Sequence, residues 1–195
     1  MYPTLLPAIQ KRYACRQFMG EQRLSAEELA LLLEAGQLAP SAFGLEPWRF
    51  IVVQSETEHA AIAQACLNQP AATTASALIV IVALVAALDP DSEYVRSRFE
   101  AEARGEDPAQ IEAAYRSFYR ADSIAGWAQG QCNFAASHIM LQAAHMGCSC
   151  CPIGGYDANA LAAALNLPPG ETPALVIALG HCSYPAPPRL RKPLR

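Results

Sequence analysis

The chain has 195 residues, a length that favours one domain with a full hydrophobic core. Hydrophobic residues make up 52% and charged ones only 16%, which excludes a disordered chain. A net charge of -4 and a pI near 5.5 leave no dominant basic surface for nucleic acid, and the longest apolar run, Ala77 to Leu88, is too short to span a bilayer.

The first residues lack the basic start, apolar centre and small-residue cleavage pattern of a signal peptide, so a cytoplasmic location is expected. Thr4 to Lys11 reads as a short amphipathic helix with Leu5, Leu6 and Ile9 on one side. Ser25-Ala26-Glu27-Glu28 is a capping box, and Leu29, Leu32, Leu33 and Gly36 continue a helical stripe until Pro40. A strand follows over Arg49 to Val53, then a helix capped by Ser55 and running to about Leu67. Ala77 to Leu84 is a strand buried on both faces, judged by its β-branched content.

From Asp91 to Asp122 the chain turns densely charged, with a fresh helix start at Asp107-Pro108, and an exposed helical excursion is expected over about 89–122. Ser123 to Met146 is a long helix with Gly147 as its C-cap, and Trp127, Phe134, Ile139, Met140 and Leu141 imply packing on several sides. A short strand over Cys148 to Cys151, a helix capped by Asp157 and a last strand over Ala174 to Leu179 complete the order. With no linker or repeat, residues 1–195 form one domain, of α+β or α/β class.

Seven cysteines, three of them crowded in Cys148-Ser149-Cys150-Cys151, do not read as a disulfide scaffold; reduced thiols in a cytosolic core are the simplest account. Zinc held by Cys148, Cys151, His181 and Cys182 would lack a second C-x-x-C at finger spacing, so no metal is assigned. The C-x-x-C also runs into Pro152 and not into a helix, which argues against a thioredoxin-like motif.

Basic residues are placed unevenly. Outside the charged excursion there are nine, and seven lie in two terminal segments: Lys11, Arg12 and Arg16, then Arg189, Arg191, Lys192 and Arg195. If Arg12 to Phe18 is extended, then Arg12, Ala14, Arg16 and Phe18 share a face. Paired guanidinium groups on one face suit a phosphate, although solvated surface clusters are the plainer reading. Pro152-Ile153-Gly154-Gly155 leads from a strand to a capped helix; it is either an ordinary turn or a place where a flat ligand meets bare backbone amides.

Taken together, Arg12-Tyr13-Ala14-Cys15-Arg16-Gln17-Phe18, then Ala39-Pro40-Ser41-Ala42-Phe43-Gly44-Leu45-Glu46-Pro47-Trp48, then Pro152 to Asp157, then Pro188 to Leu194, resemble the FMN-dependent nitroreductase family over essentially the whole chain. The resemblance implies an α+β, three-layer fold with a mostly antiparallel central sheet flanked by helices. It implies an NAD(P)H-dependent oxidoreductase with FMN bound at a homodimer interface. Arg12, Tyr13 and Arg16, with Ala14 between them, would hold the FMN phosphate, and Arg189 and Arg191 would close on it. Pro40, Ser41, Ala42 and Gly44 would face the flavin of the other subunit, with the amides of Ser41 and Ala42 free. Asn68 would contact the ribityl chain or ring, and Pro152, Ile153, Gly154 and Gly155 would lie against the isoalloxazine.

Four positions depart from the pattern: Ala14 stands where many relatives have Ser, Gly44 where Asn is frequent, Ala71 where some place Lys, and Gly154 where some have Glu. The implied reaction passes hydride from NAD(P)H through flavin N5 to a nitroaromatic or quinone in a ping-pong cycle, so no side chain is assigned as catalytic. Phe43, Phe118, Tyr119 and Trp127 are expected to form the acceptor slot. Two alternatives stand beside this: the same fold acting on enones, halogenated aromatics or flavin itself, and a Cys/His metal-binding or redox-sensing protein without turnover.

Overall fold

The computed structural model describes residues 4–20 and 22–193; Arg195, counted above among the terminal cations, lies outside them. The sheet is organised around β2 (Ala77–Leu84), whose unbroken apolar run leaves both faces in need of cover. It pairs antiparallel on one side with β1 (Trp48–Val53) and on the other with β4 (Glu171–Gly180), and β3 (Ser149–Ile153) pairs antiparallel with β4. The order is β1-β2-β4-β3.

Because side chains alternate along a strand, each face of the sheet carries its own core. Ile79, Ile81, Ile177 and Cys150 point to one side. There they meet α2 (Ala26–Gln37), α5 (Glu93–Ala103), α6 (Ala109–Phe118) and the 23-residue α7 (Ile124–Met146). Leu78, Val80, Val176 and Cys151 point to the other side, toward α3 (Glu56–Ala65), α4 (Pro70–Thr73) and α8 (Ala158–Ala164). Two helical layers on one antiparallel sheet make the expected α+β three-layer fold. The charged excursion belongs to the first core, since Val95, Phe99 and Tyr115 are fully buried in it. A further helix, α1 (Leu6–Lys11), packs on α7.

Local signals set most of these boundaries. Ser25 accepts from the Glu28 amide while the Glu28 carboxylate accepts from the Ser25 amide, the reciprocal box read from the sequence. Asp157 accepts from the amides of Asn159 and Ala160, and Gly147 ends α7 in the left-handed region at φ 84°.

Four expectations need correction. β3 runs on to Ile153, so Pro152 is a strand residue paired with Ile177; proline is tolerated there because β3 ends the strand order. Phe18 is buried and does not share the exposed side of Ala14 and Arg16, because a bend at residues 16–17 breaks the alternation. Phe134 is 49% exposed, on a side of α7 that the other described residues leave open. The thiols are not all reduced: Cys15 and Cys182 form a disulfide across a sequence separation of 167. Residues 14–18 and 181–183 run side by side, through Met19 N–H to His181 O at 2.8 Å and Ser183 N–H to Gln17 O at 3.0 Å, which brings the two Cα atoms to 5.8 Å.

Candidate functional site

At the end of α1 the chain turns extended at Arg12 and runs along the free edge of β3, where Ala14 bridges Cys150 and the Cys15 amide donates to the Cys150 carbonyl at 3.1 Å. The segment after β4 returns over it. The Tyr184 hydroxyl accepts from the Arg16 amide at 2.8 Å, and the Tyr184 carbonyl accepts from the Tyr13 hydroxyl at 3.2 Å. Arg189 donates to the carbonyls of Ile9 and Gln10, at 2.8 and 3.1 Å, and to that of Arg12, which caps the last turn of α1 with a cation.

These contacts enclose a cavity of about 620 Å³ lined by Lys11, Arg12, Arg16, Tyr184, Arg189 and Arg191 among others. Five cationic side chains and no carboxylate line it. Such a lining calls for an anion, and guanidinium forks match phosphate oxygens. Arg12 and Arg16 both lie near β3. Burial pushes the Cys150 thiol up to about 11, partly offset by Arg12, and burial raises Cys151 against the pull of Arg16 and Arg12. Both thiols stay protonated near neutral pH and are poor nucleophiles there.

The glycine turn stands at the end of β3. Gly154 and Gly155 are exposed, and nothing lies within 4 Å of where a Cβ on Gly154 would stand, so a flat group can approach its backbone. Gln69 was not foreseen: its side-chain amide donates to Gly155 O at 2.6 Å and to Cys66 O at 3.0 Å, tying the turn to the end of α3. Asn68, exposed at φ 49°, lines a separate cavity of about 560 Å³ with Phe18, His59 and Thr74. Ala71 is buried in the second core and presents nothing to a ligand.

None of Pro40, Ser41, Ala42 or Gly44 lines the basic cavity of its own chain. They form a turn against α7 and the first core. Ser41 Oγ accepts from the Glu46 amide at 2.7 Å, and the Ala42 amide donates to Gln131 Oε1 at 2.9 Å. The Ala42 amide is therefore not free, contrary to expectation, because α7 presents a polar side chain at that point. Gly44 sits at φ 62°, in the left-handed region that favours glycine, with the exposed Glu102 side chain resting where a Cβ would be.

Beside the turn the four expected aromatics converge. Ring centroids are 5.4 Å apart for Phe43 and Phe118 and 5.5 Å for Phe118 and Trp127, and Tyr119 joins through the buried Tyr115 at 6.1 Å. The zinc alternative loses its fourth ligand, since Cys182 is bonded to Cys15. No helix among the described residues is long and apolar enough to cross a membrane.

Comparison with known proteins covers most of the chain. The nitroreductase family model matches residues 9–181. A candidate NAD(P)H nitroreductase of Staphylococcus haemolyticus is 29% identical over 99% of this chain and 95% of its own length. Protein DrgA of Synechocystis is 31% identical over 94% of this chain and 87% of its own. Among solved structures, a nitroreductase-like protein of Streptococcus mutans superposes with a TM-score of 0.86 at 21% identity, covering 96% of this chain and 93% of the other. A candidate nitroreductase of Exiguobacterium sibiricum, solved in complex with FMN, superposes with a TM-score of 0.82 at 26% identity over 99% and 95% of the two chains.

Proposed function

Because the chain belongs to the nitroreductase family, we propose that it is an FMN-dependent oxidoreductase that takes reducing equivalents from NAD(P)H and delivers them to nitroaromatic or quinone acceptors, the two substrates using one site in turn. The observation that carries the reading is the carboxylate-free cavity lined by five cations, a donor set that suits the dianionic phosphate of FMN. FMN, when bound, supplies the two-electron chemistry.

The chain's own groups bind and orient. Arg12, Arg16 and Arg191 hold the phosphate, with Ala14 and the Tyr13 backbone between them. Arg189 and Tyr184 hold the cavity walls through their contacts with α1 and residue 16. Gln69 fixes the Gly154-Gly155 turn, so that Pro152 packs against the ring while the amides of Gly154 and Gly155 face it; Asn68, beside Gln69, would reach it from the neighbouring cavity.

A homodimer completes the site. Pro40, Ser41, Ala42 and Gly44 reach the cofactor of the second copy, and the excursion over 89–122 covers the acceptor with Phe43, Phe118, Tyr119 and Trp127. Leu5, Leu31, Leu38 and Phe134 are exposed on or beside α1, α2 and α7, and Leu5 also lines a cavity of about 300 Å³ with Ala35, His138, Leu141, Gln142 and His145. An apolar face of this kind suits a second copy of the chain.

The test is NAD(P)H oxidation by the FMN-loaded protein, compared across a nitroarene, a quinone and an enone. Acceleration by either of the first two is expected; acceleration by the enone alone, or by none, would overturn the acceptor assignment.

A further inference from the structure

The turn over residues 41–46 is an expensive piece of backbone. Phe43, Gly44 and Glu46 have φ of 60°, 62° and 41°, and two of them carry side chains that disfavour this region by roughly 1–2 kcal/mol each. Such a conformation persists only where surrounding contacts over-determine it.

Most of those contacts come from one helix. From α5, Arg98 directs Nε and Nη2 to the single carbonyl of Gly44, at 2.9 and 2.7 Å, while Nη2 also meets Glu46 Oε1 at 2.5 Å. One turn earlier, the Tyr94 hydroxyl donates toward the carbonyls of Leu45 and Glu46, at 2.7 and 2.9 Å. Burial raises the pKa of Tyr94, which keeps the hydroxyl protonated as a donor. The turn in turn aims Phe43 at Tyr115 and Phe118, with centroids 5.3 and 5.4 Å away.

We propose that Arg98, supported by Tyr94, is a specificity-determining positioning residue: by clamping Gly44 O and Glu46 it holds Phe43 as one wall of the acceptor slot and so sets which acceptors fit. Arg98 touches neither the basic cavity nor the glycine turn, so its effect reaches the site only through the 41–46 turn. Arg98→Lys keeps a charge beside Glu46 but cannot present a guanidinium fork to one carbonyl. The inference rests on the oxidoreductase reading above, and its test has one arm that does not.

Arg98→Met, Arg98→Lys and Tyr94→Phe are compared with the parent as full chains. In the first arm, hydrogen exchange of the amides at 42–46 is followed without cofactor; Arg98→Met is expected to speed it at least tenfold, and Arg98→Lys to recover less than half of the loss. In the second arm, on FMN-loaded protein, KM for a one-ring quinone is expected to rise about tenfold in Arg98→Met. KM for a two-ring quinone should stay within twofold. Unchanged exchange overturns the clamp, and faster exchange with an unchanged ratio of the two KM values overturns the specificity role. Faster exchange in Arg98→Met, with a parent that neither binds FMN nor oxidises NAD(P)H, overturns the oxidoreductase reading and the specificity role with it.

Discussion

Arg16→Ala is the sharpest perturbation of the phosphate site. The Arg16 side chain is exposed and makes no hydrogen bond or ion pair among the described residues; only its backbone amide is engaged, by Tyr184. Stability should therefore change by no more than about 0.5 kcal/mol, as for other surface substitutions. A charge-assisted hydrogen bond is worth about 1.5–3 kcal/mol, a factor of roughly 10–150 in affinity. The cavity is open to water and four other cations remain, so screening places the loss toward the low end, about 10- to 30-fold. The assay is titration by flavin fluorescence, with riboflavin as the control that lacks the phosphate. FMN affinity should fall by that factor while riboflavin affinity stays within twofold. Equal losses for the two ligands, or an FMN affinity within twofold of the parent, would refute the phosphate assignment.

Gln69→Ala should give the complementary pattern, weakening FMN and riboflavin alike by several-fold, because it loosens the turn beside the ring and leaves the phosphate cations in place; the same titration reads it. Alkylation of the unfolded, unreduced chain followed by mass measurement should modify five cysteines, and all seven after reduction with a dithiol, as the Cys15–Cys182 pair requires. Burial raises the Cys66, Cys148 and Cys150 thiols to about 11 from 9.0, so the folded state holds protons that the unfolded state releases first. Stability conferred by these groups is therefore intact below about pH 9 and lost as pH rises toward 11, which urea midpoints at pH 7, 9 and 10.5 would register; a flat profile contradicts it.

Elements whose signal is local were legible in the chain itself. The apolar run of β2, the Ser25 box, the Asp157 cap and the Gly147 terminus each follow from residues within one turn or one strand, and each stands where it was expected. What escaped depends on segments distant in sequence. The disulfide requires residues 14–18 to meet residues 181–183, and nothing in the spacing of seven cysteines selects that pair. Tyr184, Gln69 and Gln131 act on backbone groups up to 168 residues away, so no motif announces them. The arginines of the two terminal segments were singled out by their clustering, yet Arg189 spends its donors on α1 carbonyls, a partner visible only once the tail has folded back. Gly44 shows the same limit: its φ of 62° belongs to a turn held by Arg98, on a helix more than fifty residues downstream.

The central claim is that two copies of this 20.9 kDa chain enclose FMN. A visible absorption spectrum taken across a calibrated gel-filtration peak, after incubation with FMN and removal of the excess, tests it in one run. The account predicts a bound-flavin spectrum that travels with protein at twice the chain mass. A colourless peak at the mass of one chain would contradict it.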